Sequence, residues 1–203
     1  MNSAVMERRK TPRRNRKTDA VVIGGSAGGL DALLRILSAL PAGYSLPLIA
    51  LLHLPDNGES RLAEVLGARV AIGVREAADK ERIVPGMLYV ASGGYHLLVE
   101  QDYSFALSCE APVHYSRPSI DVLMESAADA WGPRLMGILL TGANDDGAEG
   151  LARIGELGGR TVVQDPAEAA IPTMPGAAIR RRAPDLILTL DKICALLMEL
   201  DKH

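Results

Sequence analysis

Aromatic side chains are scarce: one Phe, one Trp and five Tyr in 203 residues, 3% of the chain. The core must therefore be built from Leu, Ile, Val and Ala. Cysteine is equally sparse. Cys109 and Cys194 stand far apart, with neither metal nor redox spacing; they read as two lone buried thiols of a reducing compartment, which excludes a disulfide scaffold. No apolar run approaches the ~20 residues of a membrane-spanning helix, the densest being residues 46–54. The N-terminus is basic but lacks the apolar centre of a signal peptide. No Cys/His or Glu/His cluster has ligand spacing, so neither a metal nor a cofactor is expected. These absences together predict a cytoplasmic protein without membrane insertion.

What is present suits one globular domain. At 48% hydrophobic and 23% charged residues, the chain can bury a core without covalent staples. Charge is uneven. Residues 1–18 carry seven basic residues against one acid (Glu7), leaving 15 basic and 24 acidic residues in the remainder, a net of −9. This divides the chain into a basic, disordered arm over 1–18 and a folded domain over 19–203. The arm lacks base-reading and stacking residues, so no nucleic-acid partner is expected.

From residue 20 the pattern alternates between strand and helix. Short apolar runs at 20–23, 46–52, 135–140, 161–163 and 186–188 read as strands. Helical spacing marks 30–40 (stopped by Pro41), 60–66, 118–129, 147–157, 176–182 and a last helix ending near 200. Between them, 87–91, 95–100 and 104–108 are short strands parted by turn residues and read as an inserted β-meander around 85–109. Apolar strands alternating with helices predict an α/β domain: a doubly wound, mostly parallel sheet with helices on both faces.

In such sheets ligands bind beyond the carboxyl ends of the strands, and three polar residues fall there. Ser26 lies in Val21-Val22-Ile23-Gly24-Gly25-Ser26-Ala27-Gly28-Gly29, a β-branched run ending in a glycine-wrapped serine before a helix. His53 follows the apolar run that ends at Leu52, and Asp146 sits in the loop after 135–140. These are the parts of a nucleophilic triad: a serine to attack, an imidazole to take its proton and a carboxylate to orient the imidazolium. The order Ser, His, Asp differs from that of α/β-hydrolases, although Gly24-x-Ser26-x-Gly28 matches their nucleophile turn by letter. Plainer roles stand beside these. Ser26 could cap the helix or line a phosphate loop, although neither a dinucleotide fingerprint nor a Lys-Ser/Thr P-loop is present. His53 could be a structural histidine, and Asp146, Asp145 or Asn144 a helix cap. His96, inside the meander, and His114, in an irregular stretch, compete poorly with His53.

Seven ordered blocks resemble one family, the CheB-type protein-glutamate methylesterases of bacterial chemotaxis. They are residues 22–29, His53-Leu54-Pro55, 88–91 with Tyr95-His96, Arg117-Pro118-Ser119-Ile120-Asp121-Val122-Leu123, 140–148 around Asp146-Gly147, Val163-Gln164-Asp165-Pro166 and Met174-Pro175. The resemblance implies a triad of Ser26, His53 and Asp146. It further implies hydrolysis of methyl esters on glutamate side chains of chemoreceptor cytoplasmic helices or a related receptor, with methanol released and glutamine deamidation as a second activity. Oxyanion donors would be amides of the Ser26 turn, Ala27 among them, and of Ala143; Arg117 would wall the substrate cleft. Family members often have threonine where this chain has Ala27. They usually carry an N-terminal receiver domain, for which residues 1–18 are too short, so control is expected from a separate regulatory protein or from expression. The alternatives are a serine esterase or amidase acting elsewhere, and a low-turnover protein that docks on receptors or signalling partners. Removing residues 1–18 should leave turnover of a small soluble ester unchanged; a collapse in that assay would make the arm structural.

Overall fold

The computed structural model describes residues 17–53 and 61–202. Residues 1–16, the Leu54-Pro55 pair and the start of the helix expected at 60 lie outside them.

Seven strands form one sheet in the order β3-β4-β2-β1-β7-β8-β9, every neighbouring pair parallel. They are β1 (Ala20–Gly25), β2 (Leu48–Leu52), β3 (Gly73–Glu76), β4 (Met87–Val90), β7 (Leu135–Leu139), β8 (Arg160–Gln164) and β9 (Leu186–Leu188). The remaining two, β5 (His96–Val99) and β6 (Phe105–Ser108), pair as an antiparallel hairpin outside the sheet. The helices are α1 (Gly29–Leu37), α2 (Leu62–Gly67), α3 (Ile120–Trp131), α4 (Ala148–Glu156), α5 (Thr173–Arg181) and α6 (Leu190–Leu200).

The central strand shows why the sheet carries two cores. In β1, Val21 and Ile23 point to one side, with Leu33, Ile36, Leu37 of α1 and Ile193, Leu197 of α6. Ala20 and Val22 point to the other, with Leu123, Met124 and Ala127 of α3 and Leu151, Ile154 of α4. Successive side chains alternate across a strand, so one apolar run feeds both cores. Every residue of β1, β2 and β7 is buried. This is the predicted doubly wound α/β fold.

Two expectations are corrected and one strand is added. The meander is only a hairpin, because 87–90 joins the parallel sheet beside β2. Strand β3 has no apolar alternation to announce it: all four residues are exposed or half-buried, and it is held at the sheet edge by its ladder to β4. Cys109 is exposed and Cys194 half-buried, so neither is the buried thiol expected.

The start of α3 approaches β1 very closely. A Cβ placed on Gly24 would collide with Ile120 Cγ2, so glycine is what lets the helix end reach the carboxyl edge of the sheet. Gly24→Ala should destabilise the fold by about 1–3 kcal/mol through overpacking at this contact, read from the midpoint of a urea titration.

Candidate active site

Chain order sends β1 to β2, then to the sheet edge at β3 and back inward to β4, before the chain crosses to β7, β8 and β9 on the other side. The crevice at the carboxyl end of β1 is therefore the topological switch point, where open α/β sheets bind ligands. Ladder register sets three residues at this edge. Gly25 pairs with Leu52 and the His53 N–H donates to the Gly25 carbonyl (3.1 Å), so Ser26 and His53 each take the next step past their strands. On the other flank the Ser26 N–H donates to the Thr141 carbonyl (2.9 Å).

Ser26 occupies a tight turn. The Gly29 N–H donates back to the Ser26 carbonyl (2.7 Å), and α1 is capped by Gly28 at φ 78 rather than by the serine. A left-handed residue at this point favours glycine. The half-buried Ser26 hydroxyl is thus free of the capping role. Thr141 underpins the turn: its Oγ1 accepts from the Ile171 N–H (2.9 Å) and lies within donating distance of the carbonyls of Ala27 (3.0 Å) and Ile171 (3.2 Å). The Thr141 N–H donates to the buried Gln164 side chain (2.8 Å).

Asp146 is fully buried and is not a cap either, since Gly147 at φ 93 starts α4. Its carboxylate faces the N-terminus of α3. Oδ1 accepts from Ser119 Oγ (2.8 Å) and the Asp121 N–H (3.0 Å), and Oδ2 accepts from the Ile120 N–H (2.8 Å). Unsatisfied amides at a helix start hold an anion by hydrogen bonding and by the helix dipole. Oδ2 also lies 2.8 Å from His53 Nε2, with the ring N–H bent off the line to the oxygen. Burial pushes the Asp146 carboxyl up, but His53, the Asp121 and Ile120 amides and the Ser119 hydroxyl together hold it below the usual carboxylate range. It is an anion at neutral pH.

Because Nε2 faces the carboxylate, Nδ1 is the ring atom left to accept a proton. That reverses the familiar assignment, in which Nδ1 meets the aspartate. Asn144 Nδ2 lies 3.4 Å from Nδ1, within reach to donate to it, while Asn144 Oδ1 is buried without a partner among the described residues. The sequence marked Asn144 only as a cap alternative; its proximity to His53 arises from the fold of the 141–147 loop.

The Ser26 amide is committed to Thr141, so it drops out as an oxyanion donor. The N–H groups of Ala27 and Ala143 have no protein acceptor among the described residues, which leaves them as the candidate donors. The Arg117 guanidinium donates from Nη1 to the carbonyls of Cys109 and Glu110, both at 3.1 Å, and so staples the 109–117 loop. Among the described residues no cluster of three or more His, Cys, Asp or Glu could hold a metal.

The CheB methylesterase family profile matches residues 21–197. The chain belongs to the CheB methylesterase family. A relative from Leptospira interrogans, provisionally named protein-glutamate methylesterase/protein-glutamine glutaminase, is 44% identical over 185 residues, covering 91% of this chain and 96% of that one. A Caulobacter vibrioides protein-glutamate methylesterase/protein-glutamine glutaminase is 38% identical, and the match covers 86% of this chain but 52% of the longer protein. The crystal structure of the Thermotoga maritima CheB methylesterase catalytic domain superposes with a TM-score of 0.85 at 29% identity, over 91% of this chain and 100% of that one. No helix among the described residues of this CheB-family chain is long and apolar enough to cross a membrane.

A second buried carboxylate stands beside the first. Asp121 accepts from the Gly150 N–H (2.7 Å) through Oδ1, whereas Oδ2 has only His114 Nε2 nearby, at 3.5 Å. Burial pushes Asp121 up to about 7, the Gly150 amide opposing and the Asp146 charge adding to the rise. Between the ordinary carboxylate range and about 7, the folded chain holds a proton that the unfolded chain has released. Stability therefore falls as pH rises through that window. Asp121→Asn should remove the slope: below about pH 4 it matches the wild type, and at pH 8 it is the more stable by on the order of 2 kcal/mol or more, as read from urea melts at the two pH values.

Proposed function

We propose that this chain is a serine hydrolase that removes methyl esters from glutamate side chains of methylated chemoreceptor-type helices, with Ser26 as nucleophile. One observation carries the reading. A buried, donor-saturated carboxylate, Asp146, lies against His53 at the edge where Ser26 ends the central strand.

On this reading the steps are those of an acyl-serine cycle. Ser26 Oγ attacks the ester carbonyl carbon while His53 Nδ1 takes the hydroxyl proton. The carbonyl oxygen, now an anion, faces the Ala27 and Ala143 amides. Asp146 stabilises the imidazolium through Nε2 and keeps Nδ1 aimed at the serine. The imidazolium passes its proton to the methoxy oxygen, the C–O bond breaks and methanol leaves an acyl-serine. Water then loses a proton to His53, attacks the acyl carbon and releases the glutamate carboxylate, and the proton returns to Ser26. Replacing methanol by ammonia as the leaving group turns the same cycle into glutamine deamidation, the second activity in the names of the relatives.

Ala27 contributes only a backbone donor beside the nucleophile. Where family members often have threonine, this chain lacks one hydroxyl, which would alter rate or substrate preference without altering the reaction type.

Methanol release from methylated chemoreceptor cytoplasmic fragments tests the assignment. Ser26→Ala should reduce it to background, and Asp146→Asn should lower kcat by about a hundredfold or more by spoiling the His53 orientation. A folded wild type that releases no methanol yet reacts at Ser26 with a fluorophosphonate probe acts on another ester or amide. Failure of both assays would assign the fold a binding role.

A further inference from the structure

His96 was set aside in the sequence as one histidine inside a short-strand region, yet it is 2% exposed and fully bonded. It opens strand β5, and its ring lies between two segments that border the site. The Ser119 N–H donates to His96 Nδ1 (3.2 Å), and His96 Nε2 lies 3.1 Å from the Ala111 carbonyl. Those partners fix the tautomer: a ring nitrogen facing an N–H must be bare, and one facing a carbonyl must carry the proton. His96 is thus held neutral, with Nε2 protonated.

Ser119 is the N-cap of α3. Its Oγ accepts from the Val122 N–H (3.5 Å) and donates to Asp146 Oδ1 (2.8 Å), so the hydroxyl hydrogen is committed to the carboxylate. A chain of hydrogen bonds therefore runs from the Ala111 carbonyl through His96 and Ser119 to Asp146, whose Oδ2 lies 2.8 Å from His53 Nε2. We propose that His96 is a positioning residue for ester hydrolysis, holding the Ser119 backbone through Nδ1 and thereby the angle at which Asp146 meets His53. This rests on the triad reading above.

The two ring nitrogens do separate work, and amide replacements separate them. An asparagine oxygen falls near the position of Nδ1 and keeps an acceptor for the Ser119 N–H, but it does not reach Ala111. A glutamine nitrogen falls near Nε2 and keeps the donor to Ala111 while abandoning Ser119. Both replacements remove one buried bond and should lower thermal stability alike. Neither touches Asp121 or His114, the other titratable groups at this helix end.

The experiment measures the rate of fluorophosphonate labelling of Ser26 against pH, which reports nucleophile activation without a receptor. His96→Gln should label about tenfold to a hundredfold more slowly, in line with a sub-ångström misplacement of a supporting group. Its acid limb should move to lower pH, because a displaced carboxylate stabilises the imidazolium less. His96→Asn should stay within about threefold of the wild type and keep the limb in place. Equal profiles for the two variants, or stability losses with no movement of the limb, overturn the proposal. Asp146→Asn is measured alongside: if it too leaves the profile unmoved, the triad assignment itself fails, and the two failures are distinguished. Should neither His96 variant fold, ¹⁵N spectra of the wild type decide. A bare Nδ1 and protonated Nε2 on His96 at neutral pH support the role, and a proton on Nδ1 overturns it.

Discussion

The grip of the α3 N-terminus on the Asp146 carboxylate is the interaction on which the site depends. Removing a charge from water is costly unless donors replace the lost hydration. Here two amides and one hydroxyl do so, and His53 completes the shell. The anion in turn satisfies helix-end groups that would otherwise be orphaned. Two local problems, a buried charge and the orphan amides of Ile120 and Asp121 in the first helical turn, therefore solve each other. The position of α3 follows from this, and so does the need for glycine at 24.

The second carboxylate shows how finely that environment is divided. Asp121 sits in the same helix turn as the donors, yet its own side chain receives one amide and has one oxygen without a hydrogen bond. Within a few ångströms, one acid is held ionised and its neighbour is pushed up to about 7. The difference lies in the number and orientation of donors. Burial is shared by both.

The fold was legible because its strands are buried on both faces: apolar runs such as 20–23 and 135–140 have few alternatives to a covered parallel sheet. Strand β3 was not legible, since an exposed edge held by a backbone ladder leaves no hydrophobic signature. Strand β4 read as part of a meander because partner choice is a long-range matter, decided by Ile49 and Leu48 of β2 and not by local pattern. Among site residues, Ser26, His53 and Asp146 could be found because each immediately follows or closely trails an apolar strand. Ser119, His96 and Asn144 could not be placed the same way. Their roles depend on backbone donors and ring orientation, which letters do not encode. The helical spacing places Ser119 inside the helix over 118–129, whereas it is the N-cap of α3, and the direction of its hydroxyl proton leaves no mark in the sequence.

Of the seven sheet strands, the central one is also the first in chain order. Ser26 and His53 lie 27 positions apart, whereas the β7 ladder that braces Ser26, and the carboxylate beyond it, come more than a hundred residues later in the chain. A growing chain therefore carries Ser26 and His53 before it carries the strand and loop that set Thr141 and Asp146 beside them. Contacts of such sequence separation form late and slowly. The candidate centre is thus a property of the assembled sheet, out of reach of the chain until β7 and the loop that carries Asp146 have joined β1.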